Sequence, residues 1–197
     1  MRVIRESTIH NVAAKSGHLV PRVLIDSEGK LLDGRPILLI ERLPGKNLGQ
    51  LVMEDDPDAQ KFPELMAILQ SRLHKIDTSG LRRRLAQARI DVEHMKPSRL
   101  LEDITAIARA INFPYFDELS GWLADGFPQQ HENPSLVHGD LRPDNILMHQ
   151  GKVSGLIDWA KSLFAHPEYD VAVSRSILTN GPPEGIGVPE EQLRERA

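Results

Sequence analysis

The sequence contains no cysteine among its 197 residues. Disulfide bonds and zinc sites built from thiolates are therefore excluded. Long apolar runs are also missing, because stretches such as Ile37–Ile40 are far too short to span a bilayer. The first residues, Met1 to Glu6, have no apolar core of signal-peptide length. These absences predict a soluble cytoplasmic protein without a membrane partner.

Charge gives no sign of a nucleic-acid partner. The chain carries 24 basic and 28 acidic residues, for a net charge of −4, so no overall field attracts nucleic acid or an anionic membrane. One basic cluster, Arg82–Arg84, is expected to lie on a solvated helix face. Hydrophobic residues make up 40% of the chain and charged residues 26%, which is typical of a folded globular protein.

The first 45 residues combine one helix with two short strands. Residues 2–16 have helical periodicity, and Gly17 is a plausible stop. Residues 21–25 and 36–41 are apolar strand patterns separated by turn-rich sequence, and they predict an antiparallel hairpin. Residues 43–45, Leu-Pro-Gly, then interrupt regular structure.

The rest of the chain is mostly helical. Apolar residues recur at helical spacing in the first two of the predicted helices, which cover 62–76, 100–111, 114–125 and 167–179. Short strands are predicted at 135–137, 146–148, 152–153 and 155–157. The fold class is therefore α+β, with a small part containing strands and a helix and a larger helical part that holds a polar loop between strands.

The polar loop is the segment most informative about function. It reads HGDLRPDN at residues 138–145 and is followed by IDW at 157–159. Phosphoryl transfer needs a carboxylate that accepts the proton of the nucleophile, together with hard oxygen ligands for magnesium. Asp140 suits the first task, and Asn145 with Asp158 suit the second.

These motifs resemble the catalytic loop and magnesium motif of the protein-kinase-like superfamily. Gly139 and the Asp158-Trp159 pair are similar to its small-molecule branch, the aminoglycoside phosphotransferases and choline kinases. The resemblance implies a two-lobe kinase-like fold, with ATP and Mg²⁺ as cofactors. By the same resemblance Asp140 would be the catalytic base, and Arg142 would lie close to the transferred phosphate. Asn145 and Asp158 would be the magnesium ligands.

Flanking segments extend the resemblance. Residues 36–45 are similar to the strand and hinge between the lobes, where the backbone of Glu41, Arg42 and Leu43 would bind the adenine ring. Residues 71–74 resemble the family's Leu-His segment. Residues 169–172 resemble a downstream helix whose aspartate, here Asp170, would brace the catalytic loop by hydrogen bonds.

The front of the small lobe departs from the family pattern. Glu6 matches the glutamate that normally pairs with a phosphate-binding lysine, but only five residues precede it. Lys15 and Lys30 lie in the wrong places for that lysine. The resemblance thus implies an incomplete N-terminal lobe at 1–45 and a helical catalytic lobe at 46–197. The chain would be a fragment, a sequence with a misassigned start or a degraded member.

Several residues also have plainer interpretations. His138 is expected to be structural rather than a base. Glu6 is expected to make an exposed helical contact with Arg2 or His10, in addition to its position as the family glutamate. Arg142 is either a phosphate contact or part of a surface ion pair. Trp122 and Trp159 are expected to be packing residues.

The function predicted from these residues is transfer of the γ-phosphoryl group of ATP to a hydroxyl of a small molecule. The first alternative is a non-catalytic pseudokinase or fragment that lacks the phosphate-binding loop and lysine. The second is a metal-dependent hydrolase, which would need more His or carboxylate ligands than this loop contains. The identity of the acceptor and the oligomeric state are not encoded in these patterns.

Overall fold

A computed structural model describes residues 2–27, 36–113, 115–126 and 134–180. The α-helices in these ranges are α1 (Arg2–Lys15), α2 (Leu48–Met53), α3 (Phe62–Leu73), α4 (Thr78–Gln87), α5 (Pro97–Ala110), α6 (Phe116–Asp125) and α7 (Glu168–Asn180). The strands are β1 (Val23–Asp26), β2 (Leu38–Ile40), β3 (Lys46–Asn47), β4 (Ser135–Val137), β5 (Ile146–His149), β6 (Lys152–Leu156) and β7 (Leu163–Ala165). Short 3-10 turns occur at Pro57–Ala59, Val92–Met95, Pro143–Asn145 and Trp159–Lys161.

Helix α1 ends where the sequence predicts. Gly17 has a left-handed φ of 81°, a conformation that glycine adopts without steric penalty. The amide of His18 donates to the carbonyl of Ala13 at 3.0 Å, and the amide of Gly17 donates to Ala14 at 3.1 Å. This is the Schellman pattern of helix termination. It directs the chain into the hairpin that follows.

The strands form three small antiparallel sheets. The predicted hairpin is confirmed, since β1 pairs with β2 and Val23 lies opposite Ile40. A second sheet has the order β3-β5-β6, and a third pairs β4 with β7. Two strand fragments predicted at 152–153 and 155–157 are one continuous strand, β6. The short strands β3 and β7 were missed, because runs of two or three residues carry too little periodicity.

A single cluster of buried side chains joins both ends of the described chain. Ile9 and Ala13 of α1 lie in the same core as Leu81 of α4 and Trp159 near the metal motif. Helix α1 thus packs directly on the larger helical part. The domain boundary at residue 45 stays a prediction.

Helix α5 forms as predicted, but its apolar stripe is largely exposed. Ile104, Ile107 and Ile111 are 42%, 62% and 66% exposed. Helix α6 is also confirmed, and its Trp122 is 71% exposed, so the prediction that Trp122 is a packing residue is wrong. The sequence pattern predicted both helices but did not show whether other parts of the protein cover their apolar residues.

The predicted basic cluster lies on α4. Arg83 and Arg84 are exposed, as expected. Arg82 is half-buried, with its guanidinium carbon 4.9 Å from the centre of the Phe164 ring. Within the part of the chain that the structure describes, no helix combines the length and apolar character needed to cross a bilayer.

Candidate phosphotransfer site

The polar loop follows β4 and precedes β5, as the sequence predicts. Gly139 adopts a φ of +75°, and a Cβ built on it would lie 2.3 Å from the carbonyl oxygen of Lys161. Only glycine fits both the left-handed backbone and this close approach. The loop is therefore pressed against the turn that follows Asp158, and Asp140 comes next in the chain.

Asn145 connects the two motifs. Its Nδ2 donates to the backbone carbonyl of Asp140 at 2.8 Å. The backbone carbonyl of Asn145 accepts from the backbone amide of Ile157 at 3.0 Å. Asp140 and Asn145 are only 6% and 5% exposed. Since Ile157 directly precedes Asp158, these bonds bring the three predicted chemistry-bearing residues into one neighbourhood.

Asp158 has an unusual backbone and an exposed side chain. Its φ and ψ are 62° and 67°, a left-handed conformation that is uncommon for residues other than glycine. Among the described residues, no hydrogen bond or ion pair satisfies its exposed side chain. Strained backbones of this kind cluster at functional sites. A carboxylate and a side-chain amide are among the oxygen ligands that magnesium takes.

The predicted brace from the downstream helix is confirmed. Asp170 of α7 is fully buried, and its two carboxylate oxygens accept from the amides of His138 at 2.9 Å and Gly139 at 2.7 Å. Nε2 of His74 lies 2.8 Å from the same carboxylate. These bonds fix the backbone immediately before Asp140.

Two buried histidines flank the indole of Trp159. The ring of His138 lies 4.8 Å from that of Trp159 and the ring of His10 lies 6.1 Å away, both centre to centre. Nε2 of His138 is 3.1 Å from the carbonyl of Ile157. Burial lowers the pKa of both imidazoles. The buried position of His138 supports the structural interpretation given to it, and Trp159 is a packing residue as predicted, with no exposed surface.

The hinge residues follow β2. The amide of Glu41 donates to the carbonyl of Arg22 at 2.8 Å, and its carboxylate pairs with Arg22 Nε at 2.9 Å. A hydrogen bond from that guanidinium lowers the pKa of Glu41. The Leu43 side chain packs on Gly155 of β6, where a Cβ would lie 2.0 Å from its Cδ1. Within the segment 41–43, Leu43 therefore rests on the strand that leads to Asp158, whereas Arg42 is exposed.

Glu6 and Arg142 each make one long polar contact with a residue close by in the chain. Glu6 Oε1 lies 4.0 Å from Nε2 of His10, one helical turn away. The prediction that this contact is exposed is wrong, because the His10 side chain is only 1% exposed and the Glu6 side chain 22%. Nε of Arg142 lies 3.9 Å from Oδ2 of Asp144. This long ion pair does not decide between the two interpretations of Arg142.

Two contacts around the site were not predicted from the sequence. A guanidinium nitrogen of Arg5 donates to the carbonyl of Ala160, which ties α1 to the turn after Asp158. Lys161 Nζ lies 3.0 Å from Oδ2 of Asp140. The available signal for Lys161 was its position three residues after Asp158, just beyond the IDW motif.

A multi-ligand metal centre of another type is not present in the described ranges. No group of three or more His, Asp or Glu side chains there is arranged to hold a metal ion. The hydrolase alternative required such a group. The structure of this part of the chain gives it no support.

A family comparison agrees with the motifs. The model of the phosphotransferase enzyme family matches residues 2–193. The chain belongs to this family. The match covers almost the entire sequence and includes the polar loop, the hinge and the aspartate that braces the loop.

A curated relative of this chain is much longer than the chain itself. Acyl-CoA dehydrogenase family member 11 of Rattus norvegicus is 24% identical over 175 residues, which cover 87% of this chain and 22% of that protein. The chain thus spans about a fifth of the length of that curated relative. The match therefore concerns only a part of that protein.

Solved structures of the phosphotransferase family share the fold. A Ralstonia eutropha protein described as an aminoglycoside phosphotransferase superposes with a TM-score of 0.65 at 20% identity, over 97% of this chain and 60% of that one. A thermostable aminoglycoside phosphotransferase APH(4)-Ia, in complex with ADP and hygromycin B, gives 0.58 at 18% identity, over 98% and 64%. The two-lobe kinase-like fold inferred from the motifs is confirmed.

Proposed function

We propose that this chain contains the catalytic part of an ATP-dependent phosphotransferase that moves the γ-phosphoryl group to a hydroxyl of a small molecule. The contacts of Asn145 are the main support, because they join the Asp140 loop to the Asp158 segment. Membership of the phosphotransferase family agrees with the proposal. So does the solved complex of a family member with ADP.

Each residue has a defined task in this proposal. The Asp140 carboxylate orients the acceptor hydroxyl and takes its proton, while the hydroxyl oxygen attacks the γ-phosphorus in line with the bond to the leaving ADP. Asn145 and Asp158 would hold Mg²⁺, which supplies positive charge against the phosphate oxygens. Arg142, at the edge of the same loop, would contact the transferred group. Asp170 keeps the loop in place.

The hinge would bind the adenine ring. The Glu41 amide is already bonded to Arg22, so we assign adenine recognition to the Glu41 carbonyl, the Arg42 backbone and the Leu43 amide. Leu43 also covers Gly155, and its side chain would form an apolar wall for the ring. Glu6, a residue of α1, would lie near the phosphates of the nucleotide.

ATP consumption tests the proposal. Purified protein is incubated with ATP, magnesium and a panel of hydroxyl-bearing compounds that includes hygromycin B and choline. Asp140→Ala should lower the turnover of the best acceptor by about 10²- to 10⁴-fold. The control Asp125→Ala, an exposed carboxylate at the end of α6, should keep wild-type turnover.

Two outcomes would contradict the proposal. Equal turnover in wild type and Asp140→Ala would remove Asp140 from the mechanism. No ATP consumption with any acceptor would instead favour the non-catalytic alternative.

A further inference from the structure

Lys161 forms an ion pair with the carboxylate proposed as the base. Its Nζ lies 3.0 Å from Oδ2 of Asp140. The Asp140 side chain is 9% exposed, whereas that of Lys161 is 62% exposed. The ammonium therefore approaches from the solvent side and contacts one of the two carboxylate oxygens.

The backbone fixes this approach. Lys161 is the last residue of the 3-10 turn Trp159–Lys161, and its carbonyl lies against Gly139, the residue before Asp140. The Ser162 hydroxyl donates to the Trp159 carbonyl at 2.8 Å and closes the turn. Because the main chains of residues 139 and 161 touch, the lysine stem starts beside the carboxylate.

We propose that Lys161 is a positioning residue for Asp140, a role that rests on the phosphotransferase function proposed above. Lys161 holds Oδ2 and leaves Oδ1 to accept the proton of the acceptor hydroxyl. In that step the hydroxyl oxygen bonds to the γ-phosphorus, and the bond from that phosphorus to its bridging oxygen breaks. The electron pair leaves with ADP, and the proton passes to Asp140. Rates of this kind fall steeply when a reacting group is misplaced by about 1 Å.

Steady-state kinetics on three variants test this role. Lys161→Met keeps the length of the side chain but cannot donate, and we expect turnover to fall about tenfold or more with KM for ATP within about twofold. Lys161→Arg should recover most of the turnover, because a guanidinium also donates to a carboxylate. The matched control Lys152→Met, at the exposed first residue of β6, should match wild type.

A double variant asks whether Lys161 acts through Asp140. Lys161→Met should cause no further loss in an Asp140→Asn background, because the effects of residues that act as a unit are not additive. Wild-type turnover in Lys161→Met, a gain in turnover, or full additivity of the two substitutions would overturn the proposal. So would a Lys161→Arg variant as slow as Lys161→Met.

Thermal unfolding of the wild type, Lys161→Met, Asp140→Asn and the double variant separates this inference from the proposed function. If the wild type transfers no phosphate, the phosphotransferase proposal fails. Melting temperatures would then still show whether Lys161 and Asp140 interact. Non-additive shifts in Lys161→Met, Asp140→Asn and the double variant would support the positioning of Asp140 by Lys161, and additive shifts would overturn it.

Discussion

Nε2 of His74 lies 2.8 Å from Oδ2 of Asp170, although the two residues are 96 positions apart in the chain. His74 caps the end of α3, and Asp170 lies in the first turn of α7. The same carboxylate holds the amides of His138 and Gly139. One buried charge thus joins two helices to the loop that carries Asp140.

Removal of that charge should destabilise the protein strongly. Asp170→Ala leaves two buried amides and an imidazole without their acceptor, and we expect the free energy of unfolding to fall by about 3 to 5 kcal/mol. Denaturant titration measures this loss. Glu168→Ala, on the same helix with its side chain 86% exposed, should change stability by only about 0.5 kcal/mol. Similar losses in the two variants would contradict the bracing role.

Gly139 should be intolerant of any side chain. Gly139→Ala places a Cβ against the Lys161 carbonyl in a left-handed backbone, so we expect a loss of about 1 to 3 kcal/mol in the free energy of unfolding. ATP consumption should fall as well, because the loop must move away from the Asp158 turn. Gly121→Ala is the matched control, since open space surrounds this helical glycine. It should stabilise the protein by up to about 1 kcal/mol. A Gly139→Ala protein as stable as wild type would exclude the close contact.

Stability should fall as the solution becomes acidic. Burial lowers the pKa of His10 and His138, whereas histidine in the unfolded chain titrates near about 6.5. Below that pH the unfolded state binds more protons, so stability is fully present above about pH 6.5 and decreases as the pH falls towards the folded pKa. Each histidine contributes a slope of up to about 1.4 kcal/mol per pH unit.

Denaturant unfolding at pH 7.5, 6.5 and 5.5 checks this dependence. His10→Gln should reduce the slope, because it removes one of the two buried imidazoles. Stability that is constant or increases between pH 6.5 and 5.5 would contradict the role of the buried imidazoles.

The sequence predicted the parts of the candidate site that depend on residues close together in the chain. The spacing of Asp140, Asn145 and Asp158 identified the loop, and the polar loop and its strands formed where the pattern placed them. The bond of Asp170 to the loop was predicted from the resemblance of the α7 segment. These features depend on short segments in which residue type and backbone geometry are closely linked.

The contacts that the sequence did not predict are long-range. The Lys161–Asp140 pair and the bond from Arg5 to Ala160 depend on how separate elements pack. Exposure of Trp122 and of the α5 stripe could not be read from periodicity, because an apolar helix face does not specify what covers it. Strand β7 was missed because it has only three residues. It pairs with β4 and so fixes the position of the preceding turn, which contains Lys161.

Magnesium-dependent nucleotide binding tests the central claim most directly. Calorimetric titration with ADP should show binding that requires Mg²⁺, and ligand at about 100 times its dissociation constant should stabilise the fold by about 2.7 kcal/mol. Asp158→Ala should lose the dependence on Mg²⁺, because a proposed ligand is removed. Magnesium-dependent binding of equal strength in wild type and Asp158→Ala, or no nucleotide binding by the wild type, would contradict the assignment of this site.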